Sequence, residues 1–236
     1  MTSDLYSIGT EMVYPSQRAG DVTPLPTTLR HELQREHGLG AWTVTGAVYG
    51  RDEQAAEGQI DHIRRHFMAS GKATYIDHQQ IEADPKLRIH LHTYAGRPTD
   101  LELGIRDWRG GGLASLTPAT PLIGEVANEH QKISRKILRD HGFDFVVEYI
   151  CAGRLARALH MILFDPANQS ERDRAVKCCA ALADAFADAG WPVSRMPLHM
   201  QRTEMGRRES FRVVCEAIKN ALDPDRILAP GRYGIG

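Results

Sequence analysis

Apolar and polar positions along this chain follow two rhythms, one close to the helical repeat and one close to strict alternation. Residues 27–37, TTLRHELQREH, predict a helix that stops at Gly38. The stretch 42–50, WTVTGAVYG, interleaves branched or aromatic residues with small ones, as a half-buried strand does. Asp52 is placed to cap a helix running to about Ser70, with Ile60, Ile63 and Phe67 on one stripe and Gly71 as its stop. A short strand over 73–76 is expected next. Between 77 and 121, Pro85, Pro98, Pro118, Pro121 and the run Gly110-Gly111-Gly112 interrupt any periodicity, which predicts short helices joined by an irregular loop.

Helical spacing returns after Pro121 through Val126, Ile133 and Ile137, until Gly142. Residues 143–153 and 157–165 then read as consecutive strands. A helix follows over about 170–189, with Val176, Cys179, Leu182 and Phe186 on one face. This order predicts an α+β fold: an antiparallel sheet containing 42–50, 143–152 and 157–165, with helices 52–70, 122–141 and 170–189 packed against it. At the end of the chain, Phe211, Val214 and Ile218 form the apolar side of an amphipathic helix that Asp223-Pro224 stops. An Ile-Leu-Ala run and a Pro-Gly turn then deliver Arg232.

Composition narrows the function classes. With 236 residues, 42% hydrophobic and 25% charged, the chain is long enough for a large core and has none of the marks of disorder. A net charge of -1 supplies no overall attraction to nucleic acid or anionic lipid. Apolar runs such as 145–151 are far shorter than the roughly 20 residues of a membrane helix. MTSDLYSIGTE lacks a signal pattern, so a cytoplasmic location is expected. Cys151, Cys178, Cys179 and Cys215 have no CxxC spacing and read as reduced, mostly buried thiols. His90 and His92 would share one face of a strand, but no acidic or cysteine partner has ligand spacing, so no metal site is assigned. Neither GxGxxG nor a P-loop lysine is present. Three consecutive glycines after Trp108-Arg109 let a backbone turn tightly or lie flat against a large planar ligand.

Three segments carry a resemblance. The tail Asp223-Pro224-x-x-Ile227-Leu228-Ala229-Pro230-Gly231-Arg232-x-Gly234-Ile235, the segment Gly40-Ala41-Trp42-x-x-Thr45-Gly46-Ala47-x-Tyr49-Gly50, and Trp108-Arg109-Gly110-Gly111-Gly112 resemble, in the same order, motifs of the vanillyl-alcohol oxidase and p-cresol methylhydroxylase flavoproteins. Gly142-Phe143-Asp144-Phe145 and Gly190-Trp191 extend the match over essentially the whole chain. The resemblance implies a ferredoxin-like cap domain over residues 1–192, whose large antiparallel sheet covers flavin and substrate. It assigns 193–236 to a segment that returns to the FAD-binding domain, itself absent from this sequence. An FAD-binding domain or subunit is the implied partner, in a homo- or hetero-oligomer. The implied chemistry is oxidation of a para-substituted phenol or aromatic alcohol, with hydride passing to the flavin and a quinone methide left behind.

By the same resemblance Arg195 lies near the flavin N1/O2 edge, where a guanidinium offsets the charge of reduced flavin, and Arg232 reaches the same region. Glu148 matches an active-site glutamate that serves as a base or orients water. Gly112 and Leu113 match positions that border the flavin. Departures are equally informative. Leu113 stands where some relatives attach FAD through histidine, and Ile105 where others use tyrosine, so the FAD is expected to be non-covalent. Ser194 replaces the phenolate-binding tyrosine, Ser115 an aromatic residue, and Arg157-Ala158 a histidine pair. These changes imply a remodelled or decaying site, and leave a non-catalytic cap-like module for association or small-ligand binding as the alternative.

Overall fold

The computed structural model describes residues 5–9, 22–37, 40–84, 88–97, 109–195 and 197–235. Six strands form one sheet in the order β2-β1-β4-β5-β3-β6: β1 (Leu5–Gly9), β2 (Thr43–Ala47), β3 (Gly112–Pro121), β4 (Val147–Ala152), β5 (Leu155–Phe164) and β6 (Val193–Arg195). Every pairing is antiparallel, and the fold is α+β as the sequence pattern predicts. The helices are α1 (Thr27–His37), α2 (Glu53–Met68), α3 (His78–Ala83), α4 (Ile89–Tyr94), α5 (Gly124–Asp140), α6 (Gln169–Asp188), α7 (Leu198–Gly206) and α8 (Glu209–Leu222).

The pattern fails where proline and glycine mask a strand. Residues 112–121 form β3, between β5 and the edge strand β6, in a region expected to be irregular. Pro118 is tolerated because the β3–β6 register shifts between Thr117 and Pro118, a bulge that relieves the ladder of a missing N–H. The strand expected over 73–76 does not form; those residues take no regular secondary structure. His90 and His92 lie in helix α4, and not on a strand. Helix α2 forms where expected, capped by Asp52 accepting from Ala55 N at 2.8 Å, yet it buries none of its residues. Its stripe of Ile60, Ile63 and Phe67 therefore does not pack into the sheet as predicted; helical periodicity marks a face but names no partner for it.

Two long helices supply the core. Asn168 caps α6 by accepting from Glu171 N, and Ala175, Cys178, Cys179, Leu182, Ala183 and Phe186 are buried along one stripe. Val176, expected on that stripe, is 48% exposed, because the buried face follows Ala175 and Cys179, and Val176 lies about 100° further round the helix. Against α6 pack α5 through Leu138, the strands through Leu116, Ile162 and Val193, and the turn residues Phe143 and Trp191. Each fully buried Leu or Phe contributes roughly 1.5–3 kcal/mol. A second cluster, Val147, Tyr149, Cys151, Ala156 and Ala158, extends the same face of the sheet toward Trp42.

Between α5 and the sheet lies a dry polar cluster. His130 stacks on Phe186, centroids 5.0 Å apart, and its Nδ1 is 2.7 Å from the Tyr149 hydroxyl. His160 Nδ1 is 2.9 Å from Ala158 O and must donate there, so its Nε2, 3.0 Å from Ser134 Oγ, accepts. Burial holds His130 down at about 4 and His160 down at about 3. Both rings stay neutral in the fold, while in an unfolded chain they take up protons below about pH 6.5. The unfolded state thus gains protons as pH falls, and stability is lost from about pH 6.5 downward, by roughly 2 kcal/mol for each histidine at pH 5. Urea unfolding at pH 7 and pH 5 should show a clear drop in midpoint, and the drop should shrink when His130→Phe and Tyr149→Phe are combined to remove both partners. A midpoint that does not move would refute the reading.

The start of β3 is set by contact and not by turn propensity alone. A Cβ on Gly112 would lie 2.2 Å from Phe164 O and 2.8 Å from Phe164 Cδ2, so β3 and β5 approach at this point only because residue 112 has no side chain. Gly112→Ala should cost roughly 1–3 kcal/mol through overpacking. Gly124→Ala, at the open first turn of α5 where nothing lies within 4 Å, should leave the melting temperature unchanged or slightly higher. Equal melting temperatures for the two variants would contradict the close-contact account.

Candidate functional site

In an antiparallel ladder, residues directly opposite each other project to the same face, and neighbours along a strand project to opposite faces. The register pairs Val147 with His160, Tyr149 with Ala158, and Leu116 with His160, which places these residues on the face that α5 and α6 cover. The other face follows by alternation. It carries Glu148 opposite Leu159, Ser115 opposite Met161, Leu113 opposite Leu163, Arg157 opposite Ala119, and Arg195 opposite Thr117. With Leu116 facing His160 and Ala119 facing Arg157, Thr117 stands across from Leu159. One row across four strands therefore reads Glu148, Leu159, Thr117, Arg195.

Three of the residues singled out in the sequence, Glu148, Arg195 and Leu113, thus share the face away from the helices. Glu148, Leu113 and Leu159 are half-buried, and Arg195 is exposed. Three strand spacings separate the backbones of Glu148 and Arg195, about 14 Å, which leaves room for a ring over Leu159 and Thr117 between the two side chains. Gly112 belongs to the opposite face, where Phe164 occupies the space of its missing Cβ, so packing accounts for that glycine. Ser194 donates its hydroxyl to Thr117 O at 2.9 Å.

The approach to β3 is built to hold this face in register. Arg109, Gly110 and Gly111 all have positive φ, 49°, 81° and 84°, a sequence of left-handed turns that explains the glycines. Arg109 Nη2 donates to Glu171 Oε1 at 2.7 Å, and Asp165 N donates to the other carboxylate oxygen at 2.9 Å. Burial pushes the Glu171 pKa up, but the hydrogen bonds from Arg109 and Asp165 and the Arg109 and Arg174 charges outweigh it, and the net shift is downward. The glycine run is in this way fastened to the first turn of α6. Trp108 and Ile105 lie outside the described residues.

Arg232 is placed differently. Its turn, Arg232–Gly234, rests on α7: Gln201 Oε1 accepts from Tyr233 N at 2.8 Å, and Gly234 lies so close to Arg202 that a Cβ would come within 2.8 Å of Arg202 Cα. Since α7 begins three residues after Arg195, both arginines border this helix, but Arg232 is not part of the sheet row. Upstream, Asp223 accepts from Ile227 N and Leu228 N, each at 3.0 Å, and Lys219 bridges Asp223 and Leu228 O. The loop is thereby shaped while Ile227 and Leu228 stay exposed. No helix among the described residues is long and apolar enough to cross a membrane, and no group of three or more candidate metal ligands occurs among them.

Thr117 was not legible as a site residue. It is 3% exposed, and its Oγ1 is buried with no hydrogen-bond partner. The only available signal was the alternation of Leu113, Ser115 and Thr117, which has meaning once 112–121 is known to be a strand.

No family model matches the chain. It is 28% identical over 237 residues to the flavoprotein subunit of 4-cresol dehydrogenase (hydroxylating) from Pseudomonas putida, a match that covers 100% of this chain and 45% of that protein. It is 27% identical over 257 residues to 1'-carboxy-chondrochloren decarboxylase from Chondromyces crocatus, covering 93% and 47%. In three dimensions it resembles p-cresol methylhydroxylase with substrate bound, with a TM-score of 0.88 and 26% identity over 98% of this chain and 46% of that one. A 4-ethylphenol oxidase from Gulosibacter chungangensis, in an isoeugenol complex, shares the fold with a TM-score of 0.83 at 21% identity, covering 98% and 47%. The chain spans just under half the length of each of these proteins. Matched from end to end in sequence and in fold, it is a relative of the FAD-linked oxidoreductases typified by p-cresol methylhydroxylase, and its structure is consistent with their C-terminal cap region.

Proposed function

We propose that this chain is the substrate-capping portion of an FAD-dependent oxidoreductase acting on a para-substituted phenol or aromatic alcohol, with residues 1–192 as the cap and 193–236 as the segment that docks on an FAD-binding domain or subunit. The observation that carries the reading is the row of Glu148, Leu159, Thr117 and Arg195 on the sheet face that the long helices leave open. Bound at this face, FAD would supply a hydride acceptor for the benzylic carbon of the substrate. Arg195, permanently charged and with no hydrogen bond or ion pair to another described residue, offers several donors to an anionic edge. In this reading Glu148, at the far end of the row, takes a proton from water that adds to the oxidised substrate. Arg232 adds positive charge from the α7 side. Leu113 carries no nucleophile, which supports a non-covalent cofactor.

A partner surface supports the same reading. Helix α8 buries none of its residues, and Phe211, Val214, Ile218, Leu222, Ile227 and Leu228 are all more than half exposed. That apolar surface suits the FAD-binding domain or subunit. A cytoplasmic location fits this assignment. The second reading, a module that binds without catalysis, draws support from Ser194, whose hydroxyl points its proton at Thr117 O and not at a phenolate.

Purified alone, the chain should be colourless and should not retain added FAD. Combined with the FAD-binding portion of a relative, it should support dye reduction dependent on 4-hydroxybenzyl alcohol, and acid precipitation should release the yellow colour into the supernatant. Arg195→Ala should lower kcat by roughly 10²–10³, the effect of removing one preorganised donor from a developing anion. Colour that stays with the precipitate would sink the non-covalent assignment. Flavin bound without turnover, unaffected by Arg195→Ala, would favour the non-catalytic module.

A further inference from the structure

The sheet face away from α5 and α6 carries more positive charge than a neutral phenol requires. Besides Arg195, Arg157 projects from β5 to the same face, directly opposite Ala119. Neither guanidinium makes a hydrogen bond or ion pair with another described residue. Thr117 stands between them, opposite Arg195 and diagonal to Arg157, so side-chain origins lie about 5 Å away on one side and about 7–8 Å on the other. Both distances are within reach of an arginine.

Thr117 is the second, independent observation. It is 97% buried, its Oγ1 has no partner, and the nearby Ser194 hydroxyl is already engaged with the Thr117 carbonyl. Buried hydroxyls are nearly always hydrogen-bonded, and an unpaired one beside two unpaired cations marks a place where an acceptor from outside the chain fits. Apolar residues complete the surface: Leu159 lies next to Thr117 in the row, with Met161 and Leu163 beyond it on β5.

We propose that this face binds an aromatic carboxylate, its carboxylate held by Arg157 and Arg195 over Thr117 and its ring lying on Leu159 and Met161. Two planar, multidentate guanidiniums match the geometry of a carboxylate better than that of a single hydroxyl. The arginines fix the direction of binding. Both flank Thr117, so the acidic group takes that end of the row, and the far side of the ring faces Glu148, which lies beyond Leu159, about 10 Å from Thr117. The proposal rests on reading the open face as the substrate side, and replaces a neutral phenol with an acid as the preferred substrate class.

The test is an NMR titration of the isotopically labelled full chain with 4-hydroxybenzoate, 4-hydroxybenzamide and inorganic phosphate. The benzoate should shift resonances on β3, β5 and β6 and bind at least tenfold more tightly than the amide. Arg157→Ala should abolish that preference, and Arg157→Lys should restore part of it. Thr117→Val, close in shape, should weaken the benzoate several-fold while leaving the amide unchanged. Equal affinity for benzoate and amide, or no effect of Arg157→Ala, overturns the proposal. Phosphate binding as tightly as benzoate also overturns it and assigns the arginines to a nucleotide phosphate. Absence of binding by all three probes overturns it as well, even if the assembled enzyme oxidises 4-hydroxybenzyl alcohol. Benzoate binding that survives a failure of the dye-reduction assay leaves this inference standing and sinks only the catalytic reading.

Discussion

Ten residues of β3 run antiparallel to ten of β5, from Gly112 facing Phe164 to Pro121 facing Leu155. Everything else about the sheet depends on that register. Because side chains alternate with a period of two, a slip of one residue would turn Leu116 and Ile162 away from the core and drive Arg157 beneath the helices, where a guanidinium has no partner. The ladder resists such a slip at both ends. At its start the backbones meet so closely that only glycine fits at 112, and the preceding turn is fastened to α6 by the Arg109–Glu171 pair. At its far end Thr120 donates to Ala156 O.

That register sorts two kinds of chemistry onto opposite sides of one layer. Toward α5 and α6 the histidines are neutral, His130 bonded through Nδ1 to Tyr149 while its Nε2 is buried without a partner, and His160 bonded to Ser134; desolvation keeps both rings uncharged. On the other side stand charged side chains: half-buried Glu148 on β4, and exposed Arg157 on β5 and Arg195 on β6. Side chains on this scaffold hold their positions because strands, and not loops, carry them. The arrangement separates what stabilises the fold from what is free to meet a ligand.

The last quarter of the chain obeys a different logic. Asp223, Lys219 and Gln201 use specific hydrogen bonds to shape a loop and a turn, and three residues there, Arg226, Ala229 and Tyr233, hold positive φ at some conformational cost. Such care over a segment that leaves Ile227 and Leu228 in water is unusual for a surface that meets only solvent. Its form is understandable as one half of an interface.

Read alone, the residues determined a good deal. Helical and alternating periods located α1, α2, α5, α6, α8, β2, β4 and β5 to within a few positions, since each has an uninterrupted run with a recognisable stop such as Gly71, Gly142 or Asp223-Pro224. The Gly-Ala-Trp, Trp-Arg-Gly-Gly-Gly and tail segments were specific enough to identify the kinship before any fold was known. Strand β3 stayed hidden because proline and glycine are locally poor strand formers, and only pairing with β5 on one side and a bulged β6 on the other stabilises them. Helix α2 looked like a core helix because a sequence shows that a stripe exists and not what covers it. Likewise the common face of Glu148, Thr117, Arg157 and Arg195 was decided by tertiary structure alone. Those four residues come from four strands spread over the interval from 117 to 195, and non-local hydrogen bonds, which leave no local signature, set their register.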